Sequence, residues 1–121
     1  MYDLKNPIEN IETVFAIFFS FYFPKLKWLI QRGVMSKKCK GVVGYSGAFL
    51  DGDIPNNIIK NDILLIHGER DNIVPIARMK HAISKLSNMS NSLETNVCKQ
   101  LEHSINEEGL ILGCNFIKKR L

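Results

Sequence analysis

The chain has 121 residues, 45% of them hydrophobic and 23% charged, an ordinary globular composition with sequence enough for one core. Its formal charge is +4, but Lys and Arg are scattered except at Lys37-Lys38-Cys39-Lys40 and Lys118-Lys119-Arg120; without interleaved aromatics these read as solvated faces or a helix end, and no nucleic-acid partner is expected. Three cysteines, Cys39, Cys98 and Cys114, are odd in number and lack the paired spacing of a zinc site, so the expectation is reduced thiols in a cytoplasmic protein with no metal and no cofactor.

Met1 to Asn10 is polar, and Ile11 to Ile30 then turns strongly apolar, densest at Val14-Phe15-Ala16-Ile17-Phe18-Phe19. Pro24, Lys25 and Lys27 interrupt the run short of the roughly 18 residues a membrane span needs. The preceding Asp3, Glu9 and Glu12 carry the wrong charge for a signal peptide. A buried strand over Val14–Phe19 is the reading taken here, with a membrane tether in Ile11–Ile30 as its alternative. Lys25 to Arg32 suits a short helix burying Leu26, Leu29 and Ile30, with Gly33 as its stop.

Gly41 to Tyr45 reads as the next strand, ending in the small-residue turn Ser46-Gly47-Ala48. Gly44-Tyr45-Ser46-Gly47-Ala48 is close to the nucleophile pattern G-x-S-x-G but puts Ala48 where the second glycine belongs, so Ser46 is taken as a turn residue. Asp51 to Asn61, with Gly52, Pro55 and two consecutive asparagines, is a loop.

Ile63-Leu64-Leu65-Ile66 is a continuous apolar run followed by the polar turn His67-Gly68-Glu69-Arg70-Asp71. Such a run is what a strand buried on both faces inside a parallel sheet requires. Asp71 falls just past its carboxyl end, where open α/β sheets place functional groups. His67 is expected to be a hydrogen-bonded structural residue. Pro75 opens a helix patterned by Ile76, Met79, Ile83 and Leu86, with His81 on its polar side. Ser87 to Asn96 is a Ser- and Asn-rich connector that runs into an edge strand over Leu93–Cys98, with Leu93, Thr95 and Val97 alternating. After Leu101-Glu102-His103-Ser104, Asn106 can cap a last helix. That helix has Glu107 and Glu108 in its first turn, Leu110, Ile111, Cys114 and Ile117 on one face, and a basic end. Cys98 and Cys114 are expected to be small core residues.

Leu64-Leu65-Ile66-His67-Gly68-Glu69-Arg70-Asp71-Asn72-Ile73-Val74-Pro75 resembles the acid-bearing segment of α/β-hydrolases of the phospholipase/carboxylesterase group, which includes the acyl-protein thioesterases. Leu101-Glu102-His103-Ser104-Ile105, with the helix start that follows, is similar to that group's histidine loop. The resemblance runs from about Lys40 to the C-terminus. It implies the C-terminal portion of an α/β-hydrolase fold, a mostly parallel sheet flanked by helices. Residues 1–121 would be a single partial domain, with a divergent segment over 1–39 and a family-like region over 40–121. An intact enzyme of the group needs roughly 200 residues or more, so the chain is expected to be a truncated one.

The resemblance implies Asp71 as triad acid and His103 as triad base. A serine hydroxyl needs an imidazole to take its proton and a carboxylate to orient and stabilise that imidazole. Ser, Asp, His is the chain order of this fold. By spacing alone, a surface Asp and a capping His in unrelated loops is the competing reading. Ser20 stands at the nucleophile position, but in Phe18-Phe19-Ser20-Phe21-Tyr22 aromatics replace both glycines of the elbow. Glu102 likewise departs from the Gly that usually precedes the histidine.

The implied chemistry is hydrolysis of a carboxylic ester or thioester, on a small-molecule or lipid substrate, through a Ser-Asp-His triad that is inactive alone for want of its elbow. The alternative is a non-catalytic binding module, or half of a split hydrolase, whose exposed sheet edge self-associates or is covered by a partner chain. No membrane contact is expected on the first reading.

Overall fold

The computed structural model describes residues 16–19, 40–48 and 60–121. Within them the chain runs β1 (Ala16–Phe19), β2 (Val42–Tyr45), β3 (Asn61–Gly68), α1 (Ile76–Leu86), β4 (Ser90–Cys98) and α2 (Glu107–Lys118). The four strands form one sheet in the order β1-β2-β3-β4, and each neighbouring pair is parallel. This is the parallel α/β architecture that the sequence pattern and the resemblance implied.

β3 is the centre of it. Successive side chains along a strand point to opposite faces, so a strand covered on both sides must be apolar at every position. Ile63 and Leu65 face one cluster with Val42, Met79 and Ala82, to which α1 contributes Ile76, Ile83 and Leu86. Leu64 and Ile66 face the other with Val43, Tyr45, Cys98 and Phe116, to which α2 contributes Leu112 and Ile117. The two helices therefore cover opposite faces. Arg120, just past α2, is tied to the sheet as well. At the amino end of β3, Asp62 accepts from Asn91 Nδ2 at 2.6 Å and from Arg120 Nε at 3.0 Å, and the Arg120 guanidinium lies 3.6 Å above the Phe116 ring.

Two boundaries and one exposure differ from the expectations. β3 begins at Asn61 rather than Ile63, because Asn61 and Asp62 pair with Ser90 and Ser92 across a local register irregularity. For the same reason β4 takes up most of the expected connector: a parallel ladder is made by backbone groups, and polar side chains are no obstacle on an exposed strand. His81 is half-buried rather than solvent-facing.

The larger correction concerns α2. The face turned to the sheet carries Gly109, Leu112, Gly113 and Phe116, whereas Leu110 and Ile111 are 56% and 50% exposed and Cys114 is exposed too. Cys98, by contrast, is buried as expected. The reason is close approach. Tyr45 donates its hydroxyl to the Gly109 carbonyl at 3.0 Å, and a β-carbon at Gly113 would overlap that hydroxyl and lie 3.2 Å from Tyr45 Cζ. Glycines i and i+4 let the helix settle onto the tyrosine, and that rotation carries the larger aliphatics outward.

The expected helix over Lys25–Arg32, the first residues of the Val14–Phe19 strand and most of the Asp51–Asn61 loop lie outside the described residues. Among the described residues no helix is long and apolar enough to cross a membrane.

Candidate active site

Two loops meet at the carboxyl edge of the sheet. The first leaves β3 at Gly68 and carries Asp71; the second leaves β4 at Cys98 and carries His103. In a parallel sheet adjacent strands end on the same side, so loops 32 residues apart in sequence are neighbours in space. The backbones are joined directly: the Glu69 amide donates to the Cys98 carbonyl and the Arg70 amide to the Leu101 carbonyl, both at 2.9 Å. Gly68 allows this, because a β-carbon there would overlap the carbonyl oxygens of Leu101 and Glu102 and sit 2.9 Å from the Leu101 carbonyl carbon.

Asp71 is 6% exposed, and its carboxylate is satisfied on both oxygens. Oδ1 accepts from the amides of Ile73 at 2.9 Å and Val74 at 2.7 Å, a local Asx arrangement that Asp adopts readily in turns. Oδ2 accepts from His103 Nδ1 at 2.7 Å. Burial alone would push the Asp71 carboxyl up. The two amides and the His103 ring outweigh it and hold the group below its ordinary value, so the ionised form is the one built in.

Because a carboxylate only accepts, the proton of this contact sits on His103 Nδ1. That leaves Nε2 of the neutral ring as the lone-pair nitrogen, the base site of the imidazole. The His103 side chain is 14% exposed, whereas that of Asp71 is fully buried. The arrangement can take a proton from a neighbouring hydroxyl or water and stabilise the resulting imidazolium.

Asp71 and His103 are thus brought together, and Ser20 lies outside the described residues, immediately after the last residue of β1 in sequence. Ser46 is 2% exposed and has φ of 52°, and its amide continues the β2–β3 ladder to the Ile66 carbonyl at 2.9 Å; these suit a turn residue rather than an attacking hydroxyl. His67 is buried, with Nε2 2.7 Å from the Val74 carbonyl oxygen and 3.5 Å from Asp71 Oδ2. The parts that sequence reasoning missed are the Ile73 and Val74 amides and Gly68. An Asp opening a turn was a usable signal for the amides. Nothing local marks Gly68, whose constraint comes from a loop more than thirty residues away.

A parallel sheet with helices on both faces, carrying a carboxylate–imidazole pair at its carboxyl edge, has the architecture of an α/β-hydrolase. The chain belongs to the phospholipase/carboxylesterase family, whose sequence model matches residues 29–121, beginning ahead of Lys40, where the resemblance first becomes legible. Among solved structures it is similar to a variant of Arabidopsis thaliana SOBER1, at 25% identity over 92% of this chain and 55% of that one, with a TM-score of 0.75. Esterase PE8 is 22% identical over 88% of this chain and 50% of its own, with a TM-score of 0.71. Zea mays acyl-protein thioesterase 2 is 17% identical over 69% and 42%, with a TM-score of 0.56. The chain spans about half the length of these structures.

Proposed function

We propose that this chain carries the acid and base of a serine hydrolase acting on carboxylic esters or thioesters, with Asp71 orienting His103 and His103 as general base. The nucleophile position is Ser20, and the chain by itself does not form an acyl-enzyme. The observation that carries the reading is the 2.7 Å contact between His103 Nδ1 and an Asp71 carboxylate buried at the sheet's carboxyl edge. Membership of a family described as phospholipase/carboxylesterase, and likeness to structures titled esterase and acyl-protein thioesterase, support ester or thioester chemistry as the class.

The inactivity has a sequence reason. Phe19, Phe21 and Tyr22 flank Ser20 where an elbow needs small residues to expose the hydroxyl beside a backbone N–H donor. Loss of a nucleophile's geometry removes roughly a million-fold in rate in serine hydrolases whose triad is disrupted. The experiment is labelling with a fluorophosphonate probe, run beside turnover of a short-chain p-nitrophenyl ester, on the chain and on His103→Ala. The expected outcome is no labelling at Ser20 or Ser46 and no turnover above the variant. Stoichiometric labelling that disappears in His103→Ala would overturn the inactivity and show a working triad.

A second reading, a binding module or half of a split hydrolase completed by a partner chain or a second copy, is supported by the span of about half of the similar structures. Exposed Leu110, Ile111 and Val97 give such a chain apolar surface to cover.

A further inference from the structure

We infer that His67 is a positioning residue for Asp71, fixing the acid turn through the backbone of Val74; this rests on the reading of Asp71 and His103 as acid and base. The geometry closes a short circuit. The Val74 carbonyl can only accept, so the 2.7 Å contact with His67 Nε2 requires a proton on Nε2, and the ring donates. The N–H of the same residue, Val74, donates to Asp71 Oδ1 at 2.7 Å. Val74 is therefore held at both ends, its carbonyl by the histidine and its amide by the carboxylate, and the residue is 2% exposed.

The His67 ring also sits beside the other carboxylate oxygen. Its Nε2 is 3.5 Å from Asp71 Oδ2, too long for a full hydrogen bond. Oδ2 is the oxygen that receives His103 Nδ1. One imidazole, near the end of β3, thus holds the carbonyl of the residue whose N–H holds Oδ1, and lies beside Oδ2. His67 itself is 2% exposed at the strand end, so its part in the reaction would be exercised through Asp71.

A residue that only fills the core would be replaceable by an apolar side chain of similar size. A positioning residue would not, and one that retains a donor at the same reach would restore it. The test uses NMR on the full chain and needs no turnover, so it stands apart from the labelling experiment: a chain inert to fluorophosphonate can still show the circuit, and an active one can lack it. In the wild-type chain, long-range proton–nitrogen correlation should find His67 with its proton on Nε2. A proton on Nδ1 alone would overturn the proposal with no variant made.

In His67→Leu, amide exchange at Ile73 and Val74 should quicken about tenfold relative to the β3 amides, the scale of one lost hydrogen bond, and the His103 Nδ1 proton resonance should move upfield. His67→Gln should recover most of both changes. If His67→Leu folds and leaves the Val74 exchange and the His103 resonance unmoved, or if Gln rescues neither, His67 is packing and nothing more. If Leu does not fold, the Gln variant and the wild-type tautomer decide.

Discussion

Replacing Gly68 by Ala tests the joint that holds the two halves of the site together. The added methyl would meet the carbonyl groups of Leu101 and Glu102, and those are backbone atoms, which cannot rotate aside as a side chain can. The Leu101 carbonyl carbon would be 2.9 Å away. Carbon–carbon contacts settle at about 3.5–4.0 Å, so the histidine loop must retreat by roughly an ångström. The Arg70–Leu101 hydrogen bond, now 2.9 Å, would then open to nearly 4 Å, beyond the range in which such a bond survives.

The Glu69–Cys98 bond beside it is strained in the same direction. Two backbone hydrogen bonds at about 1 kcal/mol each, with a charge-assisted one between Asp71 and His103 at about 1.5–3, put the loss at roughly 3–5 kcal/mol. Urea unfolding measures the stability, and the His103 Nδ1 proton resonance reports the pair separately. Stability within about 0.5 kcal/mol of wild type, with that resonance in place, would show that the loop accommodates a β-carbon and that Gly68 is not what sets the distance between the loops.

A second glycine gives a prediction of opposite sign from the usual rule. An exposed helical Gly→Ala change gains about 1 kcal/mol from propensity, but Gly113→Ala pushes a methyl into the Tyr45 hydroxyl and should instead destabilise by about 1–2 kcal/mol in urea unfolding. Adding Tyr45→Phe should return part of that loss, and failure to do so would place the strain elsewhere. Acid unfolding tests the carboxylates. Asp71 is held below 3.8 because the Val74 and Ile73 amides and His103 outweigh its burial, and Asp62 is held below 3.8 chiefly by Asn91, with Arg120 assisting. The unfolded chain therefore takes up these protons first. The stability they confer is complete above the unfolded value and is lost as pH falls through their lower folded values. Unfolding free energy should drop as pH falls below about 4, and in Asp71→Asn the drop should be shallower; an unchanged slope would mean Asp71 titrates alike folded and unfolded.

The sheet was legible because its strongest element announces itself. Four apolar residues in a row at Ile63–Ile66 read as a strand with both faces covered, given that a polar turn follows at once and a helix after Pro75. The helix over Ile76–Leu86 followed from its period and starts at the residue after that proline. Asn106 capping α2 was legible from residue type and spacing, and its Oδ1 indeed accepts the Gly109 amide at 2.9 Å. The face of α2 was not. Reading the largest aliphatics as the buried stripe chose Leu110, Ile111 and Cys114, whereas the helix is seated by Gly109 and Gly113 against Tyr45. A glycine pair carries no hydrophobic signal, and the tyrosine it accommodates is 64 residues away from Gly109 in sequence.

The site divides along the same line. Asp71 could be singled out by where it falls, just beyond a buried strand, and His103 by its likeness to a histidine loop, but neither residue type nor spacing says that they touch. What brings them to 2.7 Å is the eight-residue parallel ladder of β3 on β4, which ends both strands at one level, and the missing side chain at Gly68, which lets the second loop fold down onto the first. The histidine loop has Glu102 where a small residue is usual in the family it resembles, yet the contact forms, because Glu102 is exposed and it is its carbonyl, not its side chain, that Gly68 meets. A departure from a family's pattern weakens a site only where the departing side chain must pass through something. Glu102 is exposed, and the contact between His103 and Asp71 forms despite the departure.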